Sequence, residues 1–128
     1  MNNCLFCKII NNEIPSYTLY EDEVVKVFLD IEPKSNGHTL IIPKKHFLDL
    51  DDIDEETLKH IFNVAKKIKK KLEEKLSPSG ITLVQNNGSV QEVKHYHLHL
   101  IPTYENNKIE DVKEVYKKIS EYELVKKK

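Results

Sequence analysis

Three of the six histidines in the chain stand at alternate positions within one short segment. They are His95, His97 and His99, and they are separated by Tyr96 and Leu98. Because successive side chains of a strand point to opposite faces, the three imidazoles would share one face and the apolar side chains the other. Exposed strand faces usually carry threonine, lysine and glutamate. The spacing therefore points to chemistry on the histidine face.

Two kinds of chemistry fit three imidazoles on one face of a strand. Together they could bind a catalytic zinc ion that keeps one coordination position open for water. Alternatively, one imidazole, which is a competent neutral nucleophile near physiological pH, could attack phosphorus. Water would then cleave the covalent phospho-imidazole. The histidine segment by itself does not decide between the two.

The composition limits how a phosphate group could be held. The 128 residues include 20 cationic and 21 acidic side chains, and every one of the cations is a lysine. Because a rigid arginine fork is unavailable, backbone amides, histidines, side-chain amides or lysines would have to bind phosphate. With a formal net charge of −1, no overall positive field would recruit nucleic acid or an anionic membrane. Neither is expected as a partner.

The apolar patterns predict a single α+β domain over residues 1–128. Strands are predicted at residues 24–30, 38–42, 81–84 and 95–101, the last of them ended by Pro102. A long helix is predicted to begin at Asp52 or Asp54 and to stop before Pro78. Its apolar stripe would consist of Leu58, Ile61, Phe62, Ala65, Ile68, Leu72 and Leu76. Region 104–128 is predicted to hold a shorter amphipathic helix, with Ile109, Val112, Tyr116 and Ile119 on one side, and a lysine-rich tail.

Two cysteines near the start of the chain, Cys4 and Cys7, are separated by two residues. No secretory signal or membrane span is predicted, so the expected compartment is the cytoplasm. There, this spacing is more typical of metal ligands or redox pairs than of a structural disulfide. A thioredoxin-like redox pair needs a preceding strand, and only three residues precede Cys4. Two unpaired thiols, or a zinc site with two further ligands from elsewhere, remain as the alternatives.

The histidine segment resembles the pattern of the histidine triad family. Further blocks at residues 30–31, 37–44, 86–88 and 91–93 follow in the order of that family, and the resemblance covers about residues 4–103. It implies a histidine-triad α+β fold, with an antiparallel sheet of about five strands, one long helix and a shorter C-terminal helix. It also implies a homodimer in which the sheets of two subunits combine.

The same resemblance implies a role for each matching residue. His97 would attack the α-phosphorus of a purine nucleoside monophosphate conjugate and form a nucleotidyl-histidine that water cleaves. His99 and His38 would contact the phosphate and steady the nucleophile, and Asp30 would accept the ribose hydroxyls. The other substrate-binding positions would be Phe6, Ile9, Phe28, Ile31, Leu40, Asn86, Gln91, Glu92 and Val93.

One branch of the family resembles this chain in its cysteine spacing. In that branch, a histidine after the second motif strand and the first triad histidine complete a zinc site. The matching positions are Cys4, Cys7, His46 and His95. Four protein ligands would close a tetrahedral shell, so the resemblance implies one structural zinc ion per chain.

Several positions depart from the family pattern and bear on the substrate. Val90 stands where glycine is common, Glu92 where a small hydroxyl residue is common, and Thr103 where an arginine is common. The predicted activity is that of a nucleotide hydrolase or phosphoramidase. One alternative is a diadenosine polyphosphate hydrolase, because Lys94 before the triad resembles that branch. The other is a purine-nucleotide-binding scaffold whose catalysis is incidental.

Overall fold

One antiparallel sheet of five strands and three helices make up the fold in the computed structural model, which describes residues 3–126, with the side chains of residues 3–120. The elements are α1 (Leu5–Ile10), β1 (Thr18–Glu21), β2 (Val25–Leu29), β3 (Thr39–Pro43), α2 (Glu55–Leu76), β4 (Gly80–Val84), β5 (Leu98–Thr103) and α3 (Val112–Lys126). The strands lie in the order β1-β2-β3-β5-β4. The predicted α+β class, five-stranded sheet, long helix and C-terminal helix are confirmed. Lys127 and Lys128 of the predicted tail lie outside the described residues.

Helix α2 begins where the sequence placed one of its two candidate caps. The Asp54 carboxylate accepts a hydrogen bond of 3.1 Å from the backbone N–H of Thr57, as an N-cap does. The helix ends at Leu76, and its C-cap Ser77 has a left-handed φ of 50°. The placement of Phe62 in the apolar stripe is wrong, because its side chain is 42% exposed. Successive side chains of an α-helix are rotated by about 100° around its axis. Because Ile61 points into the core, the side chain of Phe62 is turned toward solvent. None of the helices described in the structure is long and apolar enough to cross a membrane.

The sheet separates two apolar clusters of different size. The larger cluster packs α2 and α3 on one face, and it includes Tyr96, Leu98 and Leu100. The smaller cluster lies on the other face under α1, and its buried members are Phe6, Ile9, Phe28, Leu40 and Ile42. The alternation predicted around the histidines is therefore observed. The apolar side chains face the main core, and the histidines face the side that carries α1.

The predicted bounds of the histidine strand are wrong at both ends. Strand β5 begins at Leu98, because the preceding segment is held by a bond of 2.7 Å from the N–H of Tyr96 to the carbonyl of Phe47. It also continues through Pro102 to Thr103. Strand β3 pairs with β5 only as far as Leu100, so Pro102 lies where β5 has a single neighbouring strand. Proline is tolerated at such an edge-like position.

The C-terminal helix also begins later than its apolar pattern indicated. Ile109 lies before α3 and is exposed, whereas the helix starts at Val112. The reason is a long-range contact. The Asn36 side chain bonds to the carbonyl of Lys108 and the N–H of Glu110, backbone groups that a helix would use. Helix α1 and strand β1 were not predicted at all.

Candidate functional site

A cleft of about 580 Å³ opens on the sheet face that carries the histidines. The pairing register of three strands forms a row of side chains on this face. Leu40 of β3 and Val84 of β4 both lie directly opposite His99 of β5. Paired residues of antiparallel strands point to the same face. The cleft is lined by Asp30, Glu32, Lys34, His38, Val84, Asn86, Val90, Glu92, His97, His99 and Ile101. All three predicted catalytic histidines are therefore brought together, along with Asp30, Asn86 and Glu92.

His97 is buried at the floor of the cleft, and its tautomer is determined by its surroundings. Its Nδ1 lies 2.8 Å from the carbonyl oxygen of His95. Since a carbonyl only accepts, Nδ1 carries the proton, and Nε2 of the neutral ring keeps a free lone pair. Burial lowers the pKa of His97, although the His95 carbonyl and the carboxylates of Asp30 and Glu92 oppose that shift. The ring of Phe6 packs edge-on at 4.9 Å between centroids. The result is an uncharged imidazole of fixed orientation with one bare nitrogen.

His38 and His99 form a chain of hydrogen bonds beside His97. The backbone N–H of Lys34 donates to Nδ1 of His38 at 3.1 Å, so the proton of that neutral ring is on Nε2. His38 Nε2 then donates to Nδ1 of His99 at 2.9 Å. The second nitrogen of His99 must therefore carry a proton. Burial lowers the pKa of His38, and burial together with His97 lowers the pKa of His99 to about 4. Both rings are neutral near pH 7.

The charges that line the cleft are mostly negative. Asp30, Glu32 and Glu92 contribute carboxylates, and Lys34 is the only lysine among the lining residues in the described part of the chain. One oxygen of Asp30 accepts the N–H of Glu32 at 2.9 Å, while the other lies 3.7 Å from Nε2 of His38. Because the histidines are neutral, a strongly anionic ligand would meet net repulsion here.

The other predicted substrate-binding residues lie outside the cleft lining. Four of them are members of the smaller apolar cluster, against which Val93 packs: Phe6, Ile9, Phe28 and Leu40. Ile31 is 71% exposed on the rim beside Asp30. Gln91 is buried, and its side-chain amide donates to the carbonyl of Leu48 at 2.6 Å. It therefore fixes the segment that carries Glu92 rather than facing the cleft.

Sequence reasoning missed five lining residues: Glu32, Lys34, Val84, Val90 and Ile101. A signal existed for two of them, because Val90 departs from the family pattern and Ile101 continues the alternation of His97 and His99. The pairing of Val84 with His99 depends on the register of two strands far apart in sequence. Nothing in the local pattern around Lys34 indicates that its turn folds back toward the histidines.

A second cluster consists of Cys4, Cys7, His46 and His95. It adjoins the cleft, because His95 is two residues before His97 in the sequence. Their donor atoms all lie within 4.8 Å of one another. Cys4 Sγ is 3.4 Å from His95 Nδ1, Cys7 Sγ is 3.2 Å from His46 Nδ1, and the two Nδ1 atoms are 3.1 Å apart. His95 Nε2 donates to the carbonyl of Pro43 at 2.8 Å, so Nδ1 is the bare nitrogen that faces the thiols.

The local structure explains how the two thiols converge. Cys4 is the N-cap of α1, and its sulfur accepts the N–H of Cys7 at 3.3 Å. Lys26 holds the other end of α1, because its buried ammonium donates to the carbonyl of Ile9 at 3.0 Å. A tetrahedral zinc site with bonds of about 2.0–2.3 Å has ligand–ligand edges of about 3.3–3.8 Å. The separations of 3.1–3.4 Å between these donor atoms are close to this range, so the donor set fits a closed zinc site.

A third group of donors, Asp30, His38 and His99, also lies within 4.8 Å. Both nitrogens of His38 are already used, since Nδ1 accepts from Lys34 and Nε2 donates to His99. A neutral imidazole in that state has no lone pair left for a metal ion. The hydrogen bonds of His38 therefore disfavour a metal ion in this group, and of the two groups found among the described residues the cysteine cluster is the better metal site.

Both the sequence and the structure of this chain are similar to those of HIT proteins. The model of the HIT domain matches residues 11–106. An uncharacterised HIT-like protein of Methanocaldococcus jannaschii is 49% identical over 108 residues, which is 81% of each chain. The adenosine 5'-monophosphoramidase of Saccharomyces cerevisiae is 48% identical over 101 residues, 77% of this chain and 61% of that one. A Zn-bound histidine triad family protein from Mycobacterium smegmatis aligns with a TM-score of 0.86 at 32% identity, over 99% of both chains.

Proposed function

This chain belongs to the HIT domain family, and on that premise we propose that it is a hydrolase of purine nucleoside monophosphate conjugates that cleaves at the α-phosphate. Phosphoramidates are its favoured substrates. The observation that carries the proposal is the pair of imidazoles in the cleft, with a bare nitrogen on His97 and a protonated one on His99. The yeast relative, whose name gives adenosine 5'-monophosphoramidase activity, supports the same substrate class.

The reaction proceeds in two steps at His97. In the first, its Nε2 forms a bond to the α-phosphorus while the bond to the leaving nitrogen breaks, and that nitrogen takes up a proton. The ring keeps its Nδ1 proton, and the carbonyl of His95 stabilises the positive charge that develops. Water then attacks phosphorus, loses a proton and returns the electron pair to His97. The protonated nitrogen of His99 donates to a phosphate oxygen during both steps.

The nucleoside is bound at the end of the cleft near Asp30. Its carboxylate accepts the ribose hydroxyls, and the exposed side chain of Ile31 covers one side of the base. The smaller apolar cluster, with Phe6, Ile9, Phe28 and Leu40, forms the wall behind it. At the other end, Asn86 and Glu92 face the leaving group, and Gln91 and Val93 hold the segment in place.

Cys4, Cys7, His46 and His95 bind one zinc ion per chain in this proposal. The ion supplies a fixed anchor and, since all four positions are filled, no open site for an activated water. Its role is to hold α1 against the segment before β5, where the ring of Phe6 meets those of His95 and His97. The donor distances and the Zn-bound relative from Mycobacterium smegmatis support this assignment.

Two copies of the chain form a homodimer through the open edge of β4. That strand pairs with β5 on one side only in the described structure, and its Leu83 is 41% exposed. Phe62 on α2 adds a second exposed apolar side chain. An unpaired strand with apolar exposure favours pairing with a second strand. We expect the dimer in the cytoplasm, where the thiols stay reduced.

A turnover panel tests the activity directly, using adenosine phosphoramidate, aminoacyl adenylates and diadenosine polyphosphates. We expect the highest kcat/KM on the phosphoramidate. Preferred cleavage of the polyphosphates would instead support the dinucleotide hydrolase, although Lys94, which suggested it, donates to the carbonyl of Gly88 and does not line the cleft. Binding of all three without turnover would support the scaffold.

A further inference from the structure

The loop over residues 104–110 is tied to the turn that carries the cleft residues of the 30–38 segment. The hydroxyl of Tyr104 donates to the carbonyl of Asn36 at 2.6 Å. The Asn36 side chain donates to the carbonyl of Lys108 at 2.9 Å and accepts the N–H of Glu110 at 2.8 Å. Asn36 thus joins the loop through its main chain and both ends of its amide.

A further hydrogen bond reaches Lys34, the residue whose N–H bonds to His38. The amide of Asn107 donates to the carbonyl of Lys34 at 3.1 Å, and the N–H of the same Lys34 donates to Nδ1 of His38. We call Asn36, Tyr104 and Asn107 the clasp. None of its three members lines the cleft, and Lys34 is the residue that bonds both to the clasp and to a cleft histidine.

The turn itself leaves little freedom once the clasp is in place. Gly37 has a φ of 86°, a conformation that side chains rarely adopt, and an added Cβ would lie 2.5 Å from Cδ1 of Leu76. On the other side of Lys34, the Glu32 N–H is bonded to Asp30 at 2.9 Å. Lys34 lies between these two restraints. From outside the turn, the Ser35 hydroxyl holds the next residue by donating to the carbonyl of Pro102, and the clasp holds the carbonyl of Lys34 itself.

We propose that the clasp is a positioning device that decides which ring nitrogens of His38 and His99 carry protons. With Lys34 in place, Nδ1 of His38 accepts, and the chain of bonds leaves a proton on the second nitrogen of His99. Without that N–H, His38 is free to hold its proton on Nδ1. His99 Nδ1 would then have to donate, and its second nitrogen would become a bare acceptor facing the cleft.

The reversed tautomer changes the chemistry of the cleft. A phosphate oxygen beside His97 would meet a lone pair of His99 instead of an N–H donor, which removes a favourable contact to the transition state. Burial raises the pKa of Tyr104 to about 12, so its hydroxyl remains a donor throughout the working pH range. The bond from Tyr104 to Asn36 is therefore kept over that range.

The experiment compares Tyr104→Phe and Asn36→Ala with the unaltered zinc-loaded chain. Tyr104→Phe keeps the ring and removes only the donor. Asn107→Asp is a third, nearly isosteric variant that removes the donor to Lys34 should Asn36→Ala not fold. Asn106→Ala is the matched control, because Asn106 lies in the same loop and makes no hydrogen bond among the described residues.

The first readout is the protonation of each ring nitrogen of His38 and His99, measured by long-range proton–nitrogen NMR. We expect bare Nδ1 atoms in the unaltered chain and in the control, and a proton on Nδ1 of His38 in the clasp variants. A loss of the loop contacts with both tautomers unchanged would overturn the proposal. Because this readout needs no substrate, it also stands if the proposed hydrolase activity fails.

The second readout depends on the proposed function, and it separates positioning from plain stabilisation. In the clasp variants kcat on the phosphoramidate should fall about tenfold, with KM changed by less than about threefold, because a transition-state contact is lost. The control should keep both constants. A reversed tautomer with an unchanged kcat would overturn the catalytic consequence, since His99 would then be indifferent to the proton that it carries.

Discussion

Two clusters of histidines lie side by side in this molecule and differ in where their free lone pairs point. His95 and His97 are two residues apart, and the His97 ring donates a hydrogen bond to the carbonyl of His95, yet the two residues belong to different clusters. In each ring one nitrogen donates to a carbonyl, of Pro43 in the first case and of His95 in the second. The remaining nitrogen of His95 faces two thiols and a second imidazole, whereas that of His97 is left for the cleft.

Spacing alone therefore does not assign a role to a histidine. The partner of the other ring nitrogen selects the tautomer, and the groups around the bare nitrogen decide whether it binds a metal ion or attacks a substrate. Converging donors 3.1–3.4 Å apart are suited to a shared cation. A single bare nitrogen in a cleft beside Asp30 is suited to nucleophilic attack.

The largest expected effect is on the cleft side of this comparison. His97→Asn should lower kcat by at least about a thousandfold, because the covalent step is lost, while nucleotide affinity measured by calorimetry stays within a few-fold. His60→Asn is the control, since His60 bonds to Asp22 and lies outside both clusters. A His97→Asn variant with rates near those of the unaltered chain would end the covalent reading.

The next expected effect is on zinc binding and stability at the cysteine cluster. The double substitution Cys4→Ser and Cys7→Ser should abolish the zinc content, expected at about one ion per chain, and lower Tm by about 10 °C. Turnover at low temperature should persist, because the proposed attack of His97 on phosphorus needs no metal. Elemental analysis, thermal melts and a cold assay of the same sample check the three expectations.

The contrary result would be a zinc-free protein that stays folded and binds nucleotide but no longer hydrolyses the substrate. The two clusters would then act together as one catalytic site. The metal would then be catalytic, and His97 would not be a free nucleophile.

A smaller effect tests the charge of the cleft. Glu92→Ser should raise polyphosphate turnover relative to phosphoramidate turnover by about three- to tenfold, because one repulsive carboxylate is removed. Glu73→Ser removes the same charge from α2, outside the cleft lining, and should leave the ratio alone. An unchanged ratio in the Glu92 variant would mean that this carboxylate does not face the leaving group.

A further prediction concerns the pH dependence of stability. Burial and His97 hold the pKa of His99 at about 4 in the folded chain, below its ordinary value of about 6.5. As pH falls from about 6.5 toward 4, the unfolded chain takes up a proton that the folded ring refuses, so stability is lost in that window. Tm should fall less steeply over it in His99→Asn. Parallel Tm curves for the two proteins would contradict this assignment.

Much of the site was predictable because strand alternation is local. It placed His97 and His99 on one face and Tyr96 on the other, and the structure agrees. Where long-range contacts decide, the sequence was a poor guide. Asn36 delays the start of α3 by bonding the backbone near Ile109, and the end of pairing with β3 admits Pro102 into β5. The approach of Lys34 to His38 depends on a turn and a distant loop that no local pattern reveals.

We claim that His97 reacts covalently, whereas the neighbouring cysteine cluster has only a structural role. Rapid acid-free quenching during turnover of adenosine phosphoramidate, followed by intact-protein and peptide mass spectrometry, separates the two roles. We predict one adenylyl group per chain on the peptide that contains His97, in zinc-loaded and zinc-free protein alike. An adduct absent from both, or located on His99, would contradict the claim, as would an adduct that forms only when zinc is bound.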